Sequence, residues 1–102
     1  MSWQVEFRPE VRDDVADAAR WYEAREPGLG EEIVEDVIQV WDAIAENPLI
    51  GSRRHPVKDI RWRYPERFPY RVIYRVDEVR KSILVIAVLH GARHDSRWQG
   101  RV

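Results

Sequence analysis

The most apolar stretch of the chain ends in "VLHGARHDSRW", Val88 to Trp98, which brings two histidines and two arginines directly after a run of aliphatic residues. A neutral imidazole can act as general acid or base near pH 7, so His90 is a candidate for proton transfer. It can equally close a strand by bonding to backbone. His55 and His94 fall in loop-like sequence and read as surface residues. Three scattered histidines without any cysteine form no metal-ligand spacing. No metal and no cofactor is expected.

A second set of chemically capable residues is basic. Arg63, Arg71 and Arg75 alternate with apolar residues in "IRWRY" and "YRVIYRV". If "PERFP" joins these two segments symmetrically, Tyr64 faces Tyr70, Arg63 faces Arg71 and Asp59 faces Arg75. Two arginines directly across a sheet repel by roughly 0.2–1 kcal/mol unless an anion lies between them. The expectation is a docking surface for a phosphate or carboxylate at Arg63 and Arg71, set against a solvated face with splayed guanidinium groups.

Period-2 and period-3.6 patterns supply the elements that position these groups. "WQVEF" alternates Trp3, Val5 and Phe7 with polar residues, predicting a strand with one buried face. After Pro9, the recurrence of Val11, Val15, Ala18 and Tyr22 predicts an amphipathic helix ending near Glu26, with Asp13, Asp14 and Asp17 pointing elsewhere. "EPGLG" breaks it. Val34, Val37, Ile38, Trp41, Ile44 and Ala45 then mark a second helix, stopped by Asn47-Pro48, so the two form an antiparallel hairpin. Val40 is expected to stay exposed, open to a second copy, to a groove for another partner, or to nothing. "GSRRHPVK" reads as a loop and "SILVIAVLH", apolar on both faces, as an interior strand.

The order is β-α-α-β-β-β. A sheet with an apolar face needs a cover, which predicts a two-layer α+β domain over residues 1–102, with the helical hairpin packed on a mainly antiparallel sheet. Counting by twos places His90 on the face of Leu84, Ile86 and Val88. Trp3, Trp41 and Trp62 read as core, Trp21 as an edge residue, and Trp98 as packing its tail against the domain, with stacking on nucleic acid or an arginine as the alternative.

Composition narrows the class. The net charge of −1 hides a division: residues 1–50 hold 4 basic and 13 acidic side chains, and residues 51–102 hold 13 basic and 5 acidic. An anion-binding second half is one consequence, mutual neutralisation of the halves another. Without cysteine, disulfides and thiol chemistry are excluded. The longest apolar run, Ile83 to Leu89, is far shorter than the roughly 20 residues of a membrane helix. A soluble cytoplasmic protein without membrane association is expected.

Taken together, "WYEAREPGLG" in the hairpin, "ENPLIGSRRHP" after it, "FPYRVIYRVD" and "ILVIAVLHGARH" in this order resemble the RelE/ParE superfamily of bacterial toxins. The "VLH" followed by small and basic residues is closer to the ParE branch. The resemblance implies the toxin of a type II toxin–antitoxin system, held inactive by a cognate antitoxin whose partly disordered segment wraps it. It leaves a homodimer or a heterotetramer with the antitoxin open. ParE-like members inhibit DNA gyrase, the expected activity here. RelE-like members cut messenger RNA on the ribosome, the alternative; only on that reading is the chain an enzyme. Arg71 stands where RNA-cleaving relatives carry an arginine that contacts the scissile phosphate, and Glu66, Arg71 and His90 would be the nuclease candidates. For target or antitoxin binding, the candidates are Arg63, Arg71, Arg75, His90 and Arg93; the last strand is expected to deliver His90 and Arg93, with His94 beside them, to a basic edge shared with Arg71 and Arg75. A third reading is a degenerate member that binds antitoxin without toxicity.

Overall fold

The computed structural model describes residues 3–53, 57–91 and 96–102, with Ser52, Arg53 and Ser96 described at the backbone alone. His55, Arg93 and His94 lie outside the described residues. In chain order the elements are β1 (Gln4–Phe7), α1 (Pro9–Arg25), α2 (Leu29–Glu46), a 3-10 turn (Pro48–Ile50), β2 (Ser52–Arg53), β3 (Ile60–Arg63), β4 (Tyr70–Asp77), β5 (Ser82–His90) and α3 (Ser96–Gln99). The fold is α+β. The strands form one sheet in the order β1-β5-β4-β3-β2, parallel between β1 and β5 and antiparallel elsewhere.

The helical hairpin closes tightly for local reasons. Pro9 opens α1, where a missing N–H costs nothing. Gly28 takes φ 96°, the left-handed conformation that glycine adopts without a Cβ penalty. The Glu23 carboxylate accepts the N–H groups of Gly28 and Gly30, each at 3.0 Å, satisfying donors that the start of α2 would leave orphaned. At Gly30 the two helices nearly touch, since a Cβ there would lie 2.7 Å from the Ala19 carbonyl oxygen.

One core lies between the hairpin and the sheet. Val11 and Ala18 of α1 and Ile33, Val37, Val40 and Ile44 of α2 pack on Val72, Tyr74 and Val76 of β4 and Ile83, Val85 and Val88 of β5. Val40 is therefore a core residue, contrary to the expectation from its sequence. The buried stripe of α2 runs through Ile33, Val37, Val40 and Ile44, and this rotation leaves Ile38 outside at 42% exposure. Phe7, expected on the buried face of β1, is half exposed and stacks edge-on against Trp41.

The opposite face of the sheet is covered as well. Ile60, Ile73, Ile86, Ala87, Leu89 and Trp98 form a second apolar cluster, with Trp62, Leu84 and Val102 packed against it. Trp98 of α3 is buried and meets Trp62 edge-on at 6.2 Å between ring centres. The tail thus packs on the domain, as the sequence predicts, and the apolar faces of β3 and β4 serve opposite sides of the sheet.

Candidate functional site

Two one-residue offsets decide where the candidate residues point. The first is the β3–β4 register. Ile60 pairs with Arg75, Arg61 with Tyr74, Trp62 with Ile73 and Arg63 with Val72, one residue away from the symmetric pairing. A slip of one residue moves every side chain to the other face. Arg63 therefore shares the helix side of the sheet with Val72, whereas Arg71 shares the outer side with Trp62 and Ile73. The expected Arg63–Arg71 and Asp59–Arg75 pairs do not form. The cause lies in the connection: β3 ends at Arg63, Tyr64 is 54% exposed, and Phe68 is buried against the Tyr22 ring at 4.9 Å. Anchoring Phe68 in the helical layer makes the turn asymmetric.

The second offset is in β5. Ile73 pairs with Ala87 and Tyr74 with Val85, so Ile86 is an extra residue, a β-bulge. Ile86 and Ala87 both contribute to the outer cluster, and the alternation restarts beyond them with Val88 on the helix side. His90 therefore does not share a face with Leu84 and Ile86. It pairs with Tyr70, whose ring meets the imidazole edge-on at 5.4 Å, on the helix side.

His90 opens into a cleft of about 450 Å³ lined by Asp14, Asp17, Ala18, Trp21, Tyr70, Val88, Leu89 and Arg97. This volume lies within the roughly 300–1,000 Å³ of ordinary ligand sites. The cleft exists because β1 accompanies β5 only as far as Val85, leaving the rest of that edge to other groups. Asp14 accepts the Val88 N–H at 3.0 Å and binds Arg101 at 2.6 Å, while Arg101 also donates to the Ile86 carbonyl at 3.3 Å. Arg8 donates to the Arg101 carbonyl at 2.7 Å. One ion pair thus takes over the work of a missing strand. The Asp14 hydrogen bond holds the Arg101 pKa above its ordinary value against the opposing effect of burial. Asp17 is engaged by Arg20. The cleft consequently presents carboxylates that are already compensated, between the aromatic rings of Trp21 and Tyr70 and the polar tips of His90 and Arg97.

The arginines are distributed rather than gathered. Arg71 is only 4% exposed, with its guanidinium 4.8 Å above the Trp62 ring. Arg75 is exposed on the outer side, beside Lys58, Asp59, Asp77 and Glu78. Arg63 is half-buried near Tyr74. Glu66 is exposed in the β3–β4 connection. Arg71 and His90 occupy opposite faces, so the fold does not assemble Glu66, Arg71 and His90 into one cleft. Arg93, the remaining binding candidate, falls outside the described residues.

Sequence reasoning missed the polar groups that hold this end together. Asp14 does not point away from the core; its side chain is 8% exposed and aimed at β5. The signal was available, because Asp14 lies three residues after Val11 and four before Ala18, on the buried stripe itself. Arg61 was equally silent. It binds Asp59 at 2.7 Å and donates to the Gly51 carbonyl at 3.2 Å, pinning the 3-10 turn to β3. Next to it the Tyr74 hydroxyl donates to the Pro48 carbonyl at 2.7 Å, and burial pushes the Tyr74 pKa up.

The family model for the ParE toxin of type II toxin–antitoxin systems, parDE, matches residues 5–95. The chain belongs to the ParE toxin family. It is the toxin component of a toxin–antitoxin system, within the RelE/ParE superfamily, and its partner is an antitoxin. Among solved structures, a chain of the chromosomal ParDE system of P. aeruginosa superposes with a TM-score of 0.72 at 18% identity, covering 86% of this toxin and 95% of that chain. The RelBE2 toxin–antitoxin complex of Mycobacterium tuberculosis gives 0.58 at 21% identity, covering 88% and 99%. The E. coli toxin RelE in its free state gives 0.62 at 15%, covering 99% and 94%. At these identities the likeness is one of fold. Comparison with curated proteins gives no match.

Proposed function

We propose that the toxin, a single domain over residues 1–102, acts in the cytoplasm by inhibiting DNA gyrase and is neutralised by its cognate antitoxin. The observation that carries this reading is the separation of Arg71 from His90 by the thickness of the sheet. Phosphodiester cleavage needs an acid, a base and a cation around one phosphate. Here the cation is packed under Trp62, the imidazole opens into a cleft on the other side, and Glu66 stands in a connecting loop. Membership of the ParE family points the same way. Gyrase inhibition by surface contact asks for no such convergence, and exposed Arg75 together with His90 and Arg93 are the residues we assign to target or antitoxin contact.

The test is a transcript incubated with ribosomes and purified toxin, read on a sequencing gel. The transcript is expected to remain intact at toxin concentrations that arrest growth in cells. Discrete cleavage at those concentrations would transfer the assignment to the RelE-like alternative. Expression that leaves growth untouched, while antitoxin still binds, would identify a degenerate member.

A further inference from the structure

Asp14, Asp17, Ala18 and Trp21 of α1 form one wall of the cleft beside His90, and the end of β5 together with Tyr70 forms the other. The apolar groups of this cleft differ in their setting. Ala18 and Val88 are buried in the core, whereas the indole of Trp21 stays 50% exposed. A small side chain at position 18 leaves the recess open where a larger one would fill it. The Arg25 guanidinium lies 3.8 Å from the centre of the Trp21 ring, so one side of the indole is already covered. Across the cleft, the Tyr70 ring is fixed edge-on by His90 at 5.4 Å and by Tyr22 at 6.1 Å. Flat rings held in place beside an open recess are what the stacking of a further ring requires.

Charge decides which flat ligand fits. Asp14 is neutralised by Arg101, and Asp17 by Arg20. Arg97 is exposed in the cleft wall and, among the described residues, has no ion-pair partner; Arg25, also exposed, has none besides the Trp21 ring. The charge left over is therefore positive. A guanidinium presents a planar fork of donors that matches a phosphate. The volume of about 450 Å³ lies in the range of sites for drug-sized ligands, which a base joined to a sugar phosphate matches.

We propose that this cleft binds a mononucleotide, its base stacked on Trp21 and Tyr70 and its phosphate held by Arg97. Ala18 and Val88 supply the apolar floor, and Arg25 adds positive potential at the lip. Arg71 lies on the other side of the sheet under Trp62, so the phosphate meets no second guanidinium from there and the ligand is held, not cleaved. The site goes beyond gyrase inhibition and is tested without it.

Isothermal titration calorimetry of the full chain compares AMP, adenosine, ribose 5-phosphate and a single strand of about ten nucleotides. AMP is expected to bind with a Kd on the order of 0.1 mM, adenosine about tenfold more weakly, and ribose 5-phosphate without measurable heat. Trp21→Leu and Arg97→Gln should each lower the affinity for AMP about tenfold or more, since each removes one of the two recognition elements. Arg80→Gln makes the same charge change in the exposed β4–β5 turn and should leave binding as it is. Thermal melting checks that each variant is folded, and Trp21→Phe, which keeps a ring, should retain most of the affinity. No heat with AMP, equal affinity for AMP and adenosine, or equal losses in Arg97→Gln and Arg80→Gln overturns the proposal. Tighter binding of the single strand than of AMP, abolished by Trp21→Leu, also overturns it, because the occupant would then be a nucleic-acid strand.

Discussion

The Tyr74 hydroxyl illustrates how closely single atoms are set in this toxin. It donates to the Pro48 carbonyl, and a Cβ on Gly51 would lie 2.0 Å from its oxygen. Gly51 has φ −62°, so the glycine is required by proximity and not by backbone conformation. Gly51→Ala is expected to displace the phenol, break its hydrogen bond and cost about 2–3 kcal/mol in urea unfolding. Burial keeps Tyr74 neutral and raises its folded pKa above the unfolded value near 10. Its contribution to stability is therefore complete below about pH 10 and is lost as pH rises through the folded pKa. Stability measured at about pH 9 and 11 should fall less steeply in Tyr74→Phe than in the wild type; an unchanged slope would contradict the assignment. Asp14 yields another prediction at this scale. Asp14→Ala leaves the Arg101 guanidinium and the Val88 N–H without their acceptor and is expected to cost about 3 kcal/mol, with Asp14→Ala/Arg101→Met costing less than the two single changes added together.

Among the elements, α3 does more than its four residues suggest. Trp98 covers Ile73, Leu89 and Trp62 on the outer face, and Arg101 two positions after Gln99 reaches back to α1. Trp98→Ala should cost about 3 kcal/mol and increase binding of an apolar dye, since the second cluster would open to water. Element type was legible from periodicity: Val11, Val15, Ala18 and Tyr22 mark α1, and the two-sided apolar run of β5 marks an interior strand. Register was not legible. Whether Arg63 faces Arg71 depends on how Phe68 anchors the connection, and the face of His90 depends on a bulge at Ile86. Both follow from tertiary packing between residues distant in sequence, which period-2 counting cannot contain. For the same reason His90 was recognised as a candidate while its neighbours Asp14, Trp21 and Arg97 were not.

At the scale of the whole molecule, the charge division in the sequence becomes a division in space. The acidic half folds into the hairpin and the basic half supplies most of the sheet, and neutralisation between them is selective. Arg67 is paired with Glu32 and Arg101 with Asp14, while Glu31, Glu35, Asp42 and Glu46 lie exposed on α2 and Arg75 lies exposed on the outer face beside Asp59, Asp77 and Glu78. Weakening of antitoxin binding by salt should exceed what an apolar contact alone would give. The central claim is gyrase inhibition without RNA cleavage. Supercoiling of relaxed plasmid by purified gyrase, titrated with the purified toxin, tests it most directly. The account predicts loss of supercoiling that antitoxin restores; supercoiling that continues unchanged, at concentrations where the same toxin preparation stops growth, would contradict it.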